Sequence, residues 1–184
     1  MPTERVCIYI DGSNFYGYLK DPQISFPKGV IFNFKKFADF LTNGRICISK
    51  RYYTGIFRNV DRSARSAKSA ELVRGQQKFL AKLESHDGFK VKPGRILYDG
   101  GRVREKGTDV KIATDLVIGA VDNIYDTAIL VSSDTDLIPA IKYLKYKGKK
   151  LEYVGFSHAP SLGIQKYVSL TRLLLPSDIE KFKG

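Results

Sequence analysis

The sequence predicts an α/β layer fold with a mostly parallel sheet, and three observations predict it. Strand-like runs alternate with helical patterns along the whole chain. The clearest runs, "RVCIYI" (residues 5–10) and "TAILVS" (127–132), are near-continuous apolar stretches that suit strands buried on both faces. No internal repeat, low-complexity tract or linker divides the 184 residues, so one domain spanning 1–184 is expected. A chain of this length buries about 70% of its unfolded surface and needs no covalent staple.

The elements follow in order. After the first strand, "DGSN" (11–14) carries turn chemistry. "NFKKFADFLTNG" (33–44) has an Asn cap, a helical apolar pattern and a closing Gly. "RICISKRYYTGIF" (45–57) is rich in β-branched and aromatic residues. The Ser/Arg-rich stretch 58–68 is loop-like, and residues 64–86 give a helix that tolerates Gly75. Residues 89–103 hold one or two short strands, and 108–121 is a helix. The second buried strand leads to a helix over 137–148, with Pro139 near its start and Gly148 at its close. A strand over 150–156 follows, then a tail with a short helix, a short strand and a last helical turn.

The net charge of +12 favours a polyanionic partner, nucleic acid first, through neutralisation of phosphates. No basic amphipathic helix with large aromatics supports a lipid surface instead. Cys7 and Cys47 sit in apolar runs and read as buried free thiols of a reducing compartment. His86 and His158 show no Cys/His metal spacing. The N-terminal run is too short and interrupted for a signal peptide, and no stretch approaches the length of a membrane span. A cytoplasmic protein without membrane contact is expected.

Ligands of open α/β sheets bind beyond the carboxyl ends of the strands. Asp11 directly follows the first strand, and Asp134 and Asp136 follow the second. Asp109 opens the helix 108–121 at about 60° on a stripe formed by Ile112, Leu116, Ala120, Ala113 and Val117, which run from about 0° to about 140°. Four carboxylates are thus expected to converge on one spot. Two of them about 4 Å apart repel by about 4 kcal/mol at an effective dielectric near 20, so the group calls for a cation or for protonation. Oxygen ligands of this kind suit Mg²⁺ or Mn²⁺ and metal-assisted phosphodiester hydrolysis. Each acid also has a plainer role open to it. Asp134 or Asp136 would cap the helix that follows, Asp11 would make an Asx turn, and Asp109 would favour the helix dipole. Asn14 would cap the segment after it or hold a metal-bound water. Asp115 lies off the stripe, four residues after Lys111, where a solvated ion pair explains it.

Three motifs carry a resemblance to a known family. "CIYIDGSNFY" (7–16), "KGTDVKIATDLV" (106–117) and "ILVSSDTDLIPAIKYLKYKGKKLEYVGF" (129–156) together resemble the NYN domain, the LabA-like branch of the PIN-like nucleases, over essentially the whole chain. The resemblance implies a Rossmann-like three-layer α/β sandwich and a metal-dependent nuclease site, usually assigned to RNA. Matched motif by motif, the family's acidic site falls on Asp11, Asp109, Asp134 and Asp136, and Asn14 matches its polar companion. Asp115 matches a recurrent family acid and stands as a second-tier candidate. The third motif departs from the family at Ser133, where Gly is usual, and at Leu137, where Phe is usual. Neither change removes a carboxylate, and Ser133 bears on the geometry at Asp134.

Basic residues form three stretches. Lys50, Arg51, Arg58, Arg62, Arg65, Lys68 and Arg74 flank the second β-rich segment, with Tyr52, Tyr53 and Phe57 beside them as stacking candidates for unpaired bases. Core packing is the plainer reading for these aromatics. Lys90, Lys92, Arg95, Arg102, Arg104 and Lys106 run straight into Asp109 and are the best candidates for phosphate contacts. The lysines at 142–150 suit a solvated helix end. Arg51, Tyr53, Arg58, Arg102, Arg104 and Lys106 are therefore the expected nucleic-acid contacts. The reading is a Mg²⁺- or Mn²⁺-dependent nuclease, an endoribonuclease on single-stranded RNA, with RNA favoured over DNA and a homodimer left as one option. The rival is a catalytically weak nucleic-acid-binding or regulatory module of the same fold. A haloacid dehalogenase-type phosphatase would need an Asp where Ser13 stands.

Overall fold

A computed structural model describes residues 4–22, 24, 31–57, 67–99 and 102–184. The chain runs β1 (Arg5–Asp11), α1 (Gly12–Leu19), α2 (Phe34–Thr42), β2 (Ile46–Ile56), α3 (Ala67–Ser85), β3 (Lys90–Asp99), β4 (Arg102–Lys106) and α4 (Thr108–Val121). It continues through β5 (Thr127–Val131), α5 (Ile138–Tyr146), β6 (Lys150–Phe156), α6 (Leu162–Gln165), β7 (Leu170–Leu174) and α7 (Pro176–Glu180). Among the described residues the strands form one seven-stranded sheet in the order β4-β3-β2-β1-β5-β6-β7. Every neighbouring pair is parallel except β3 with β4.

The alternation of β1 builds the two cores. Val6, Ile8 and Ile10 face one side, where Phe34, Phe37 and Leu41 of α2 and Leu80 and Leu83 of α3 cover them. Cys7 and Tyr9 face the other, beneath Ile112, Leu116 and Ala120 of α4 and Ile141 and Leu144 of α5. Helices on both faces of a mostly parallel sheet give the three-layer α/β sandwich. Local chemistry ends the helices where expected. The Asn33 side chain accepts a hydrogen bond from Lys36 N at 2.9 Å to start α2, and Asn43, at φ 47°, ends it.

Three expectations change. "DGSN" is no free turn: Asp11 caps α1, which begins at Gly12. The same side-chain-to-backbone hydrogen bond serves both structures, so the residues alone do not separate them. Cys47 is exposed, because β2 begins beyond the edge of the core, whereas Cys7 is buried. The loop expected at 58–68 lies outside the described residues up to 66, and α3 starts at Ala67. No helix among the described residues is long and apolar enough to cross a membrane.

Candidate metal centre and nucleic-acid interface

From β1 the chain departs to β2 on one side of the sheet, and β5 sits on the other side of β1. Such a reversal opens a crevice at the carboxyl ends of the two central strands. Asp11 stands there as the last residue of β1, only 5% exposed. Its Oδ1 accepts a hydrogen bond from Asn14 N at 3.1 Å, and its Oδ2 accepts one from Ser132 Oγ at 3.1 Å. Burial pushes its carboxyl up to about 6, and the charges of Asp109 and Glu105 add to that, against the pull of the two hydrogen bonds. Gly12 follows because the Tyr52 ring leaves no room: a Cβ there would stand 2.5 Å from ring carbons.

The exit of β5 is pinned to the start of α1. Asn14 Oδ1 accepts a hydrogen bond from Ser133 N at 3.1 Å, and Ser132 Oγ accepts one from Asp134 N at 3.2 Å. Ser133, the departure from the usual Gly, shares its hydroxyl with Tyr18 and with Tyr153 Oη, the latter at 3.0 Å. Those bonds hold the loop that carries Asp134. Asp134 Oδ1 accepts from Asp136 N at 2.9 Å and caps the single 3₁₀ turn Thr135–Leu137 that precedes α5. The capping role and the place in the crevice coexist in one side chain.

Asp109 is exposed, although it lies on the angular stripe that α4 buries. In the first turn of α4 it stands beside Glu105, Asp134 and Asp136, so this end of the stripe meets the other acids and not the core. Partial burial raises the Asp109 carboxyl, and the charges of Asp134, Glu105 and Asp136 raise it further. A fifth acid, Glu105 of β4, therefore belongs to the group and was not singled out by its sequence setting. Among the described residues, no Lys or Arg nitrogen comes within 4 Å of any of these five carboxylates.

The acids do not close into one cage. Among the described residues, no three His, Cys, Asp or Glu side chains gather closely enough to hold one ion. Instead they ring the crevice, Asp11 acting on Asp109 and Asp109 on Asp134. The donor set still fits a hard divalent cation, because it is all oxygen, mutually repulsive and without a cationic partner among the described residues. Mg²⁺ ordinarily takes one or two carboxylates and keeps several waters.

Four expected contacts need correction. Asp115 lies on α4 and turns toward the sheet, where its Oδ2 accepts from Tyr53 Oη at 2.7 Å and pairs with Arg51 Nη1 at 3.1 Å and Lys92 Nζ at 3.5 Å. It is a structural ion pair. Lys111 is not its partner: that ammonium bonds to the Pro93 carbonyl. Tyr53 is fully buried and Tyr52 is 4% exposed, so neither ring stacks on a base. Arg51 is held between Asp115 and the face of Tyr9, 5.4 Å from the ring centre. Arg104 and Lys106 are exposed on β4. Arg58 and the Arg102 side chain lie outside the described residues.

A family model described as the NYN domain matches residues 5–167. No curated protein matches the chain. A crystal structure of a protein of unknown function from Vibrio parahaemolyticus is similar with TM-score 0.69 and 22% identity, covering 94% of this chain and 93% of that one. A structure of T5 5′-exonuclease with divalent metal ions (zinc) bound overlaps with TM-score 0.38 and 15% identity, covering 74% of this chain and 51% of that one.

Proposed function

Because the chain belongs to the NYN domain family, a nuclease-type fold, we propose that it is a divalent-metal-dependent nuclease, an endoribonuclease acting on single-stranded RNA. One observation carries the reading. In a protein of net charge +12, five carboxylates from β1, β4, α4 and the β5 exit face one crevice with no Lys or Arg within 4 Å among the described residues. A basic chain that leaves such a group unneutralised has a place for a cation.

Asp11, Asp109, Asp134 and Asp136 are the candidate ligands, and Mg²⁺ or Mn²⁺ the candidate ion. When bound, the ion supplies positive charge and Lewis acidity toward a phosphoryl group. Asp11 is the most desolvated donor and is oriented by Ser132 and Asn14. Asn14 joins the loop after β5 to α1 and so holds Asp134 across from Asp11. Arg104 and Lys106, exposed on the strand that leads to Asp109, are the candidates for neutralising phosphates of the substrate.

Asp11→Asn and Asp134→Asn test the reading. Both amides keep a capping oxygen, so the circular dichroism spectrum stays that of the parent. Mg²⁺- or Mn²⁺-dependent cleavage of a labelled single-stranded RNA is expected to fall by at least about 100-fold in each, the loss of roughly 3 kcal/mol of transition-state stabilisation. Undiminished cleavage in both variants would reject the assignment. The rival reading, a binding module with little catalysis, draws support from the absence of a closed cage among the described residues. Salt-sensitive RNA binding without cleavage in either metal would select it.

A further inference from the structure

Glu105 belongs to none of the strand-end positions that point to the crevice, yet it is tied in at two places. Its carboxylate accepts a hydrogen bond from the Ser13 hydroxyl at the start of α1 and another from the Thr108 hydroxyl at the start of α4. The side chain reaches them over a gap left by two glycines. Gly55 of β2 and Gly94 of β3 are register partners. A Cβ at Gly55 would stand 3.2 Å from both Cγ and Cδ of Glu105. One at Gly94 would stand 3.3 Å from Glu105 Oε1 and would collide with the Thr108 hydroxyl. A side chain at either position would crowd Glu105, and at Gly55 it would also meet Ile96 Cγ1 at 2.8 Å.

The two tied residues flank the candidate ligands. Ser13 lies two positions after Asp11, and Thr108 immediately precedes Asp109. Thr108 is 3% exposed, so its hydroxyl needs an internal acceptor. The residue before it, Gly107, offers no side-chain cap, and the first backbone bond of α4 is Lys111 N to Gly107 O at 3.1 Å. Without Glu105 nothing else among the described side chains bonds to the Thr108 hydroxyl.

We propose that Glu105 is a positioning residue: it ties the first turn of α1 to the first turn of α4 and so sets the spacing between Asp11 and Asp109. Its bearing on metal uptake rests on the reading of those aspartates as ligands, whereas the tether itself does not.

The test compares Glu105→Ala with Glu105→Gln by amide hydrogen exchange and by Mn²⁺ uptake followed by electron paramagnetic resonance. Gln keeps both contacts, since its oxygen accepts from one hydroxyl and its NH₂ donates to the other, but it removes the charge. Glu105→Ala is expected to exchange faster at residues 12–15 and 108–111 and to take up Mn²⁺ at least about 10-fold more weakly, a change on the scale of losing a hydrogen bond to a charged group. Glu105→Gln is expected to stay near the parent in exchange and, having lost only the charge, to take up Mn²⁺ more tightly than Glu105→Ala does. Adding Ser13→Ala and Thr108→Val to Glu105→Ala is expected to cost little more, because all three cuts sever one connection. Exchange in Glu105→Ala equal to the parent overturns the tether. Uptake as weak in Glu105→Gln as in Glu105→Ala overturns it too, since charge and not the hydrogen bonds would then matter. Should Glu105→Ala fail to fold, Ser13→Ala carries the exchange comparison with the same expectation and the same overturning result. A parent protein that takes up no Mn²⁺ removes the metal reading of the site, while the exchange comparison still decides the tether.

Discussion

Asp11 is 5% exposed and has no cationic partner within 4 Å among the described residues, so ionising it costs desolvation. Its folded-state carboxyl, at about 6, stands above the ordinary 3.8. Between those values the folded protein holds the extra proton. Ionisation of Asp11 therefore removes stability as pH rises from about 4 to about 6, on the order of 3 kcal/mol once complete. Asp11→Asn cannot titrate. In metal-free protein, its melting temperature is expected to exceed the parent's by more at pH 7.5 than at pH 5, and thermal melts at the two values check this. An identical pH dependence in the two proteins would refute the account of Asp11. At this scale Asp11, Asp134 and Asp136 were legible from their places after apolar runs. Asp109 was legible too, though the helical angle suggested burial where the first turn, beside the other acids, leaves it exposed. Glu105 was not legible, because its position depends on Gly55 and Gly94 lying side by side, and sequence distance hides that register. Tyr53 and Arg51 misled for the same reason: α4 covers them from a distant part of the chain.

The elements themselves follow from periodicity and capping, and most bounds agree within two or three residues. The exception is α1, whose opening Asp-Gly reads equally as a turn. The crossover α4 decides the site, because it runs from the antiparallel edge at β4 to the central β5 and sets its first turn above the crevice. At the opposite end of the strands, Glu152 of β6 is 7% exposed and accepts from Arg45 Nη1 at 2.5 Å and Nη2 at 3.0 Å, and pairs with Arg172 Nη2 at 2.7 Å. This network joins β6 to β7 and to the turn before β2, away from the acidic crevice. Glu152→Ala leaves two partly buried guanidinium groups facing each other and is expected to cost about 3 kcal/mol in urea unfolding. Mn²⁺ uptake by the folded fraction is expected to be unchanged. A loss of uptake without a loss of stability would contradict the separation of the two ends.

Over the whole molecule, a chain of net charge +12 carries a local group of acids at the carboxyl ends of its strands. The +12 balance favours a polyanionic partner, and on the proposed reading the acids take a cation before a phosphate approaches. Arg104 and Lys106 are the described basic residues nearest the acids along the chain. If each neutralises one phosphate, Arg104→Ala with Lys106→Ala lowers the slope of log affinity against log salt by about 1.4 for single-stranded RNA. Fluorescence anisotropy over a salt series, with the metal withheld, measures it. An unchanged slope would remove β4 from the interface. The class of this fold was readable from two buried runs and three ordered motifs, whereas the ring-like spacing of the acids arises only from how seven strands stack.

Crystals soaked in Mn²⁺ and measured for anomalous scattering test the central claim most directly. The account predicts a peak in the crevice within about 2.3 Å of an Asp11 oxygen and of an oxygen from Asp109 or Asp134. A crevice without a peak at saturating Mn²⁺, or an ion held there by none of these three residues, would contradict it.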